Sequence, residues 1–297
     1  MLKRLSILLT LAVIFSVLAA MPAQAATPLK ALIVTGQDRA HKWAETTPLL
    51  KRWLEETGLF TVDVLVSPGY GGDFSGFNPE FSKYDVMVMN YGFGGDPWPE
   101  KVKKALEAYV QGGGGLVIYH AANNAFPKWK EYNEMIGLGG WGGRNEKDGP
   151  YIRWRDGKVV RDMTPGPGGA HGPQHEFALE IRDSRHPITK GLPPKFMHSA
   201  DELYNKLRGP AKNLTVLATA YSPKDKAGTG EHEPMLMAIE YGKGRVFHTA
   251  FGHAAKHLKS VAFIVTFQRG TEWAASGKVT QKIPADMPGA DKPVVRK

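Results

Sequence analysis

PWPEKVKKALEAYVQGGGGLVIYHAA, residues 97–122, reads as an amphipathic helix over Pro97–Gln111, a glycine stop over Gly112–Gly115, a short buried strand over Leu116–Tyr119, and then a histidine. The same grammar runs upstream. Leu29–Thr35 is a β-branched apolar run ending at Gly36. The segment Lys42–Thr57 then carries helical apolar spacing at Trp43, Leu49, Leu50, Trp53 and Leu54. Phe60–Val66 and Tyr84–Asn90 repeat the strand signature. Strands that are apolar on both faces and alternate with helices predict an α/β fold, an open and mostly parallel sheet covered by helices on both faces. In such sheets ligands bind beyond the carboxyl ends of the strands, so chemistry is expected in the loops that begin at Gly36, Tyr91 and His120.

The second half has a different texture. Gly137–Gly143 and Pro165–Pro173 are long glycine- and proline-rich loops, expected to wall a cleft. Phe177–Ile181 and Leu214–Ala220 read as strands, and Met235–Tyr241 and Arg245–Thr249 as a hairpin turning at Gly242-Lys243-Gly244. A last helix is expected over residues 255–275. No linker splits the chain, so residues 26–280 are expected to form one domain and 281–297 a loose tail.

Composition narrows the chemistry. With 297 residues, 42% hydrophobic and 23% charged, the chain can bury a full core. Leu5–Ala20 is almost wholly apolar, follows Lys3 and Arg4, and precedes Ala23-Gln24-Ala25, which predicts a signal peptide over residues 1–25 and a periplasmic or secreted protein. No integral membrane association is expected after cleavage. There are no cysteines, which excludes disulfides, thiolate metal sites and a cysteine nucleophile. The net charge of +9 falls to +7 without Lys3 and Arg4, and the basic residues are scattered, so nucleic acid is not the expected partner.

Several residues could carry chemistry. His120 sits where a strand-to-helix elbow would present one side chain above the sheet, as acid, base or metal ligand. His253 follows Gly252 at a strand end, and His257 lies four residues on, a spacing that would put both on one helical face as metal ligands. Ser199-Ala200-Asp201-Glu202 fits a capping box opening a helix through Leu203 and Leu207, a structural role that competes with a site role for Asp201 and Glu202. His171 and His175 close the glycine-rich loop, His41 and Trp43 follow the first strand, and Trp98, Trp129, Trp141 and Trp154 offer flat faces on which sugars stack. Gly-x-Ser-x-Gly and the Walker loop are absent and no Gly-x-Gly-x-x-Gly opens a helix, so no nucleotide cofactor is expected.

Six pieces then fall in a familiar order. They are Gly113–Ala122 with its His-Ala-Ala, His186-Pro187-Ile188 through Gly191-Leu192-Pro193, Asp201-Glu202-Leu203-Tyr204, Gly242–Phe247, Gly252-His253, and Gly270-Thr271-Glu272-Trp273-Ala274. From about Leu29 to Ser276 the sequence resembles the ThuA-like (trehalose utilisation) family. The resemblance implies a class I glutamine amidotransferase-like fold of flavodoxin type and a role in using trehalose or related disaccharides through keto-sugar intermediates. His120 stands where amidotransferases of that fold hold a cysteine, so glutamine hydrolysis through a thioester is excluded. The family pattern favours His120, Glu202 and His253 as pocket residues, with His41 beside them.

The expected function is an exported carbohydrate-processing protein. His120, Glu202 and His253 would be catalytic. His41, Trp43, Trp141, His171, His175 and Asp201 would bind substrate, and His120, His253 and His257 would hold a divalent metal. Imidazoles without thiolates favour zinc. Such a site suits metal-assisted hydrolysis or isomerisation of a glycoside or keto-sugar. The alternative is a non-catalytic carbohydrate-binding module that uses the same cleft.

Overall fold

The computed structural model describes residues 27–297; the expected signal peptide and its cleavage site lie outside the described residues. The chain runs β1 (Leu29–Thr35), α1 (Trp43–Glu55), β2 (Phe60–Val66), β3 (Val86–Asn90), α2 (Glu100–Gln111), β4 (Gly115–Tyr119), α3 (Lys130–Ile136), β5 (Tyr151–Arg155) and β6 (Lys158–Asp162). It continues through β7 (His175–Ile181), β8 (Lys195–Asp201), β9 (Leu214–Tyr221), β10 (His232–Tyr241), β11 (Gly244–Thr249) and α4 (Val261–Ser276). All eleven strands join one sheet in the order β2-β1-β3-β4-β11-β10-β9-β7-β8, with the β5–β6 hairpin branching from β10.

The sheet is mixed, which corrects the expectation of a mostly parallel one. From β2 to β11 every pairing is parallel, whereas β11–β10–β9–β7–β8 and the β5–β6 hairpin pair antiparallel. Central strands β3 and β4 are buried throughout, because both of their faces are covered. Counting directions outward from β11, strands β9 and β8 point the same way as β11. The carboxyl end of β8 therefore opens on the same edge as those of β1, β3, β4 and β11.

Helices cover both faces. On β11, Phe247 faces α4, while Gly244 and His248 on the opposite face meet Val110 of α2 and the carbonyl of Ile136 in α3. Against α4, the Gln268 amide donates to the Trp53 carbonyl of α1 at 2.6 Å, tying the two helices of that face together.

Three local expectations fail, each for a tertiary reason. Ser199 and Glu202 do not open a helix: Ser199 lies within β8, which pairs with β7 from Lys195 to Asp201, and strand pairing overrides the local capping pattern. The last helix begins at Val261, not near Ala255; before it lies a single 3₁₀ turn, His257–Lys259, so His253 and His257 do not share a helical face. The tail is not loose. Val261 N donates to Val294 O, Met197 N donates to Gly289 O, and Arg296 pairs with Asp286, each at 2.9 Å. The β5–β6 hairpin, an addition to the expected strands, turns at Asp156-Gly157, with φ of 50° and 74°, the pair that a tight hairpin favours.

Gly270 in α4 lies against the fully buried Phe247 ring, where an added Cβ would stand 2.2 Å from two ring carbons. Helix propensity alone would make Gly270→Ala stabilising by about 1 kcal/mol. Overpacking against a ring that has nowhere to move should reverse the sign, costing about 1–3 kcal/mol in urea unfolding.

Candidate functional site

Four strand ends deliver four side chains to one point. His41 comes from the loop after β1, His120 follows β4, Glu202 follows β8 and His253 follows β11. One donor atom from each lies within 4.8 Å of the others. The ring centroids of His41 stand 4.9 Å from His120 and 4.7 Å from His253, and those of His120 and His253 are 5.6 Å apart.

Each imidazole is oriented from behind. Asp38 accepts the backbone N–H groups of Ala40 and His41 at 2.9 and 3.0 Å, folding the loop into a tight turn. It also holds His41 Nδ1 at 3.0 Å, leaving Nε2 on the inner side, 3.2 Å from the Tyr204 hydroxyl. His120 is at φ 40°, a left-handed conformation that costs energy in a residue with a Cβ and is consistent with the elbow. Its Nδ1 donates to the Ala250 carbonyl at 3.1 Å, which leaves the buried Nε2 as an unpartnered lone pair. His253 Nδ1 lies 3.1 Å from Glu202 Oε2, in contact but off the line of a directed hydrogen bond.

Charge states follow from these surroundings. Burial, then the neighbouring His41 and His253 rings, hold His120 well below the ordinary histidine range, so it is neutral. Burial works against protonation of His253, yet the Glu202 carboxylate beside it wins and raises it above the ordinary value. Burial and then Glu202 push the Tyr204 hydroxyl up, keeping it a proton donor or acceptor and not a phenolate.

Beneath the cluster lies Asp201, fully buried at the end of β8. Its Oδ2 accepts from Gly252 N at 2.7 Å and His198 Nε2 at 2.9 Å; its Oδ1 accepts from Glu202 N at 2.8 Å and His253 N at 3.3 Å, and His257 Nδ1, which accepts from Ala254 N at 3.0 Å, lies 2.9 Å from it. Burial would raise its carboxyl, but the His198 and His257 imidazoles overcome that and hold it well below the carboxylate range. Gly252 completes the arrangement at φ 109°, where a Cβ would strike Phe263 at 2.6 Å and Tyr119 at 3.0 Å.

The cluster floors a cleft of about 270 Å³ walled by Phe93, Asn124, Trp141, His171 and Tyr204. Of the sequence candidates, His41, His120, Glu202 and His253 converge, and Trp141 and His171 line the cleft, with His171 Nε2 3.6 Å from Glu202. Asp201 lies behind the site as a positioning residue. His257 is not a member of the cluster; its ring lies behind the site, with Nδ1 2.9 Å from Asp201 Oδ1. His175 turns its Nδ1 to the Pro173 carbonyl at the start of β7, and neither it nor Trp43 lines the cleft. Asp38, Tyr204 and Asn124 had no place among the candidates, although Asp38 three residues before His41 is a readable orienting pair.

Comparison with known proteins agrees with this architecture. A family model described as ThuA, trehalose utilisation, matches residues 30–274. The chain belongs to the ThuA family. A ThuA-like protein from Parabacteroides merdae ATCC 43184 is 48% identical, with a TM-score of 0.88, over 91% of this chain and 98% of that one. Another, from Bacteroides uniformis ATCC 8492, is 22% identical with a TM-score of 0.59, over 88% and 97% of the two chains, and shares the fold. No curated protein matches the chain significantly.

Asp201→Asn keeps the volume but removes the charge that both buried imidazoles answer. It should cost about 3–5 kcal/mol in urea unfolding at pH 7. A carboxyl lowered on folding contributes stability above its unfolded pKa and loses it as pH falls further. The gap between wild type and Asp201→Asn should therefore begin to narrow below about pH 3.9 and close only as the pH falls through the lower folded-state value.

Proposed function

We propose that this ThuA-family chain is an exported carbohydrate-processing enzyme whose His41, His120, His253 and Glu202 hold one divalent ion beside a sugar or keto-sugar. The observation that carries this reading is the convergence of three imidazoles and one carboxylate on a single point. The donor set fits the ion. His120 offers a buried lone pair with no other partner, and His41 is oriented by Asp38 in the way carboxylates orient metal-bound histidines. Imidazole donors with one carboxylate and no thiolate suit zinc better than magnesium or calcium.

A bound ion would polarise a carbonyl or acidify a water. The chain's own residues supply the rest. Trp141 offers a face to a sugar ring, and His171, at the mouth of the cleft, can bond a hydroxyl. The Tyr204 hydroxyl, between His41 and the open cleft, can hold or pass a proton. Convergent imidazoles and a carboxylate, with one tryptophan in the cleft, favour chemistry over a module that only binds sugars. The strand order β2-β1-β3-β4-β11 supports placing the parallel half in the flavodoxin and glutamine amidotransferase-like class.

Purified protein incubated with zinc and desalted should retain one equivalent by elemental analysis. His120→Ala, His253→Ala and Glu202→Gln should each retain far less while unfolding at urea concentrations near the wild type. Because His253 must give up its proton to ligate, retention should weaken as pH drops below neutrality. Wild-type protein that keeps no metal, yet turns over keto-disaccharides in a substrate screen, would overturn the metal reading. Export is tested separately: the amino terminus of protein recovered outside the cytoplasm should begin near Ala26, and an intact Met1 in the cytosol would contradict it.

A further inference from the structure

A second cavity adjoins the histidine cleft. It encloses about 400 Å³ between the β3–α2 loop and the segment after His120, and Phe93 and Asn124 wall both cavities. Its lining is apolar and aromatic: Phe93, Pro97, Phe126, Pro127 and Trp129. Phe126 is locked in place, stacked 5.4 Å from Tyr91 and edge-on 5.4 Å from Trp129, whose Nε1–H is anchored to Glu107 at 2.8 Å. These walls are preformed. Two ammonium groups complete the lining. Lys103 pairs with Glu100 at 3.3 Å and lies 5.9 Å from the Trp129 ring, whereas exposed Lys128 makes no ion pair among the described residues.

We infer that this chamber binds the aglycone of a glycoside whose sugar ring occupies the histidine cleft, and that the aglycone is an aromatic group bearing an acid. The inference rests on the proposed sugar chemistry of the cleft and adds the substrate class. A second hexose is a poor occupant, because a ring of hydroxyls buried against phenyl, indole and proline surfaces would leave polar groups without partners. A flat aromatic ring loses little by leaving water and gains aromatic contact. Lys128 supplies the charge that an acid substituent would meet. Asn124 stands on the wall that the two cavities share, so one ligand that fills both must pass it.

The probes are 4-hydroxybenzoate, methyl β-glucoside and 4-carboxyphenyl β-glucoside, titrated calorimetrically into metal-free and zinc-treated protein. 4-Hydroxybenzoate should bind both forms equally, since the chamber holds none of the four cluster residues. Lys128→Glu should weaken it at least about fivefold without changing zinc content or the unfolding midpoint. The linked glycoside should bind more tightly than either fragment. Absence of 4-hydroxybenzoate binding, or equal affinity in Lys128→Glu, would overturn the chamber's assignment. A linked glycoside no tighter than 4-hydroxybenzoate would overturn the shared substrate. Zinc retention, measured on the same samples, decides the metal reading independently of all three outcomes.

Discussion

A single buried carboxylate holds this edge of the sheet together. Asp201 takes hydrogen bonds from three backbone N–H groups and the His198 imidazole, with the His257 ring 2.9 Å away, so its desolvation is offset by partners on both oxygens. Stripped of those partners, a buried charge would cost several kcal/mol. The bonds join pieces far apart in sequence: β8, which ends the antiparallel wing of the sheet, and the Gly252-His253 turn after β11 in its centre. Glu202 and His253 flank Asp201 in those two pieces, and their placement depends on it.

The chemistry of the cluster follows from how differently its members are wired. His120 is buried, neutral and strained, with one nitrogen spent on Ala250 and the other free. His41 is backed by a carboxylate, and His253 leans on Glu202. Three imidazoles under three electrostatic influences, gathered at one strand edge, mark a candidate functional site.

Much of the fold was legible because the parallel half obeys local rules. The strand at Leu29–Thr35 and that at Phe60–Val66 were bounded correctly by apolar runs, and the helix before Gly112 by its glycine stop. The antiparallel wing was less legible, since direction is set by which distant strand a segment pairs with, and periodicity carries no such information. The same limit explains Glu202. A capping pattern is local, but β8 pairs with β7 and captures Ser199 in a strand, which frees Glu202 for the site. His41, His120 and His253 were recoverable because each follows a strand end. The distinction between His253 and His257 was not recoverable, because it is made by tertiary placement: the chain turns at Gly252-His253 on Asp201, and the His257 ring is packed behind, beside the same carboxylate.

X-ray absorption at the zinc edge, on zinc-treated protein, bears most directly on the claim that His41, His120, His253 and Glu202 form one metal centre. The account predicts a low-coordinate first shell of light atoms at about 2.0–2.1 Å with strong outer-shell scattering from three imidazoles, reduced to two in His41→Ala. A six-oxygen shell, or imidazole scattering that is unchanged when any of the three histidines is removed, would contradict it.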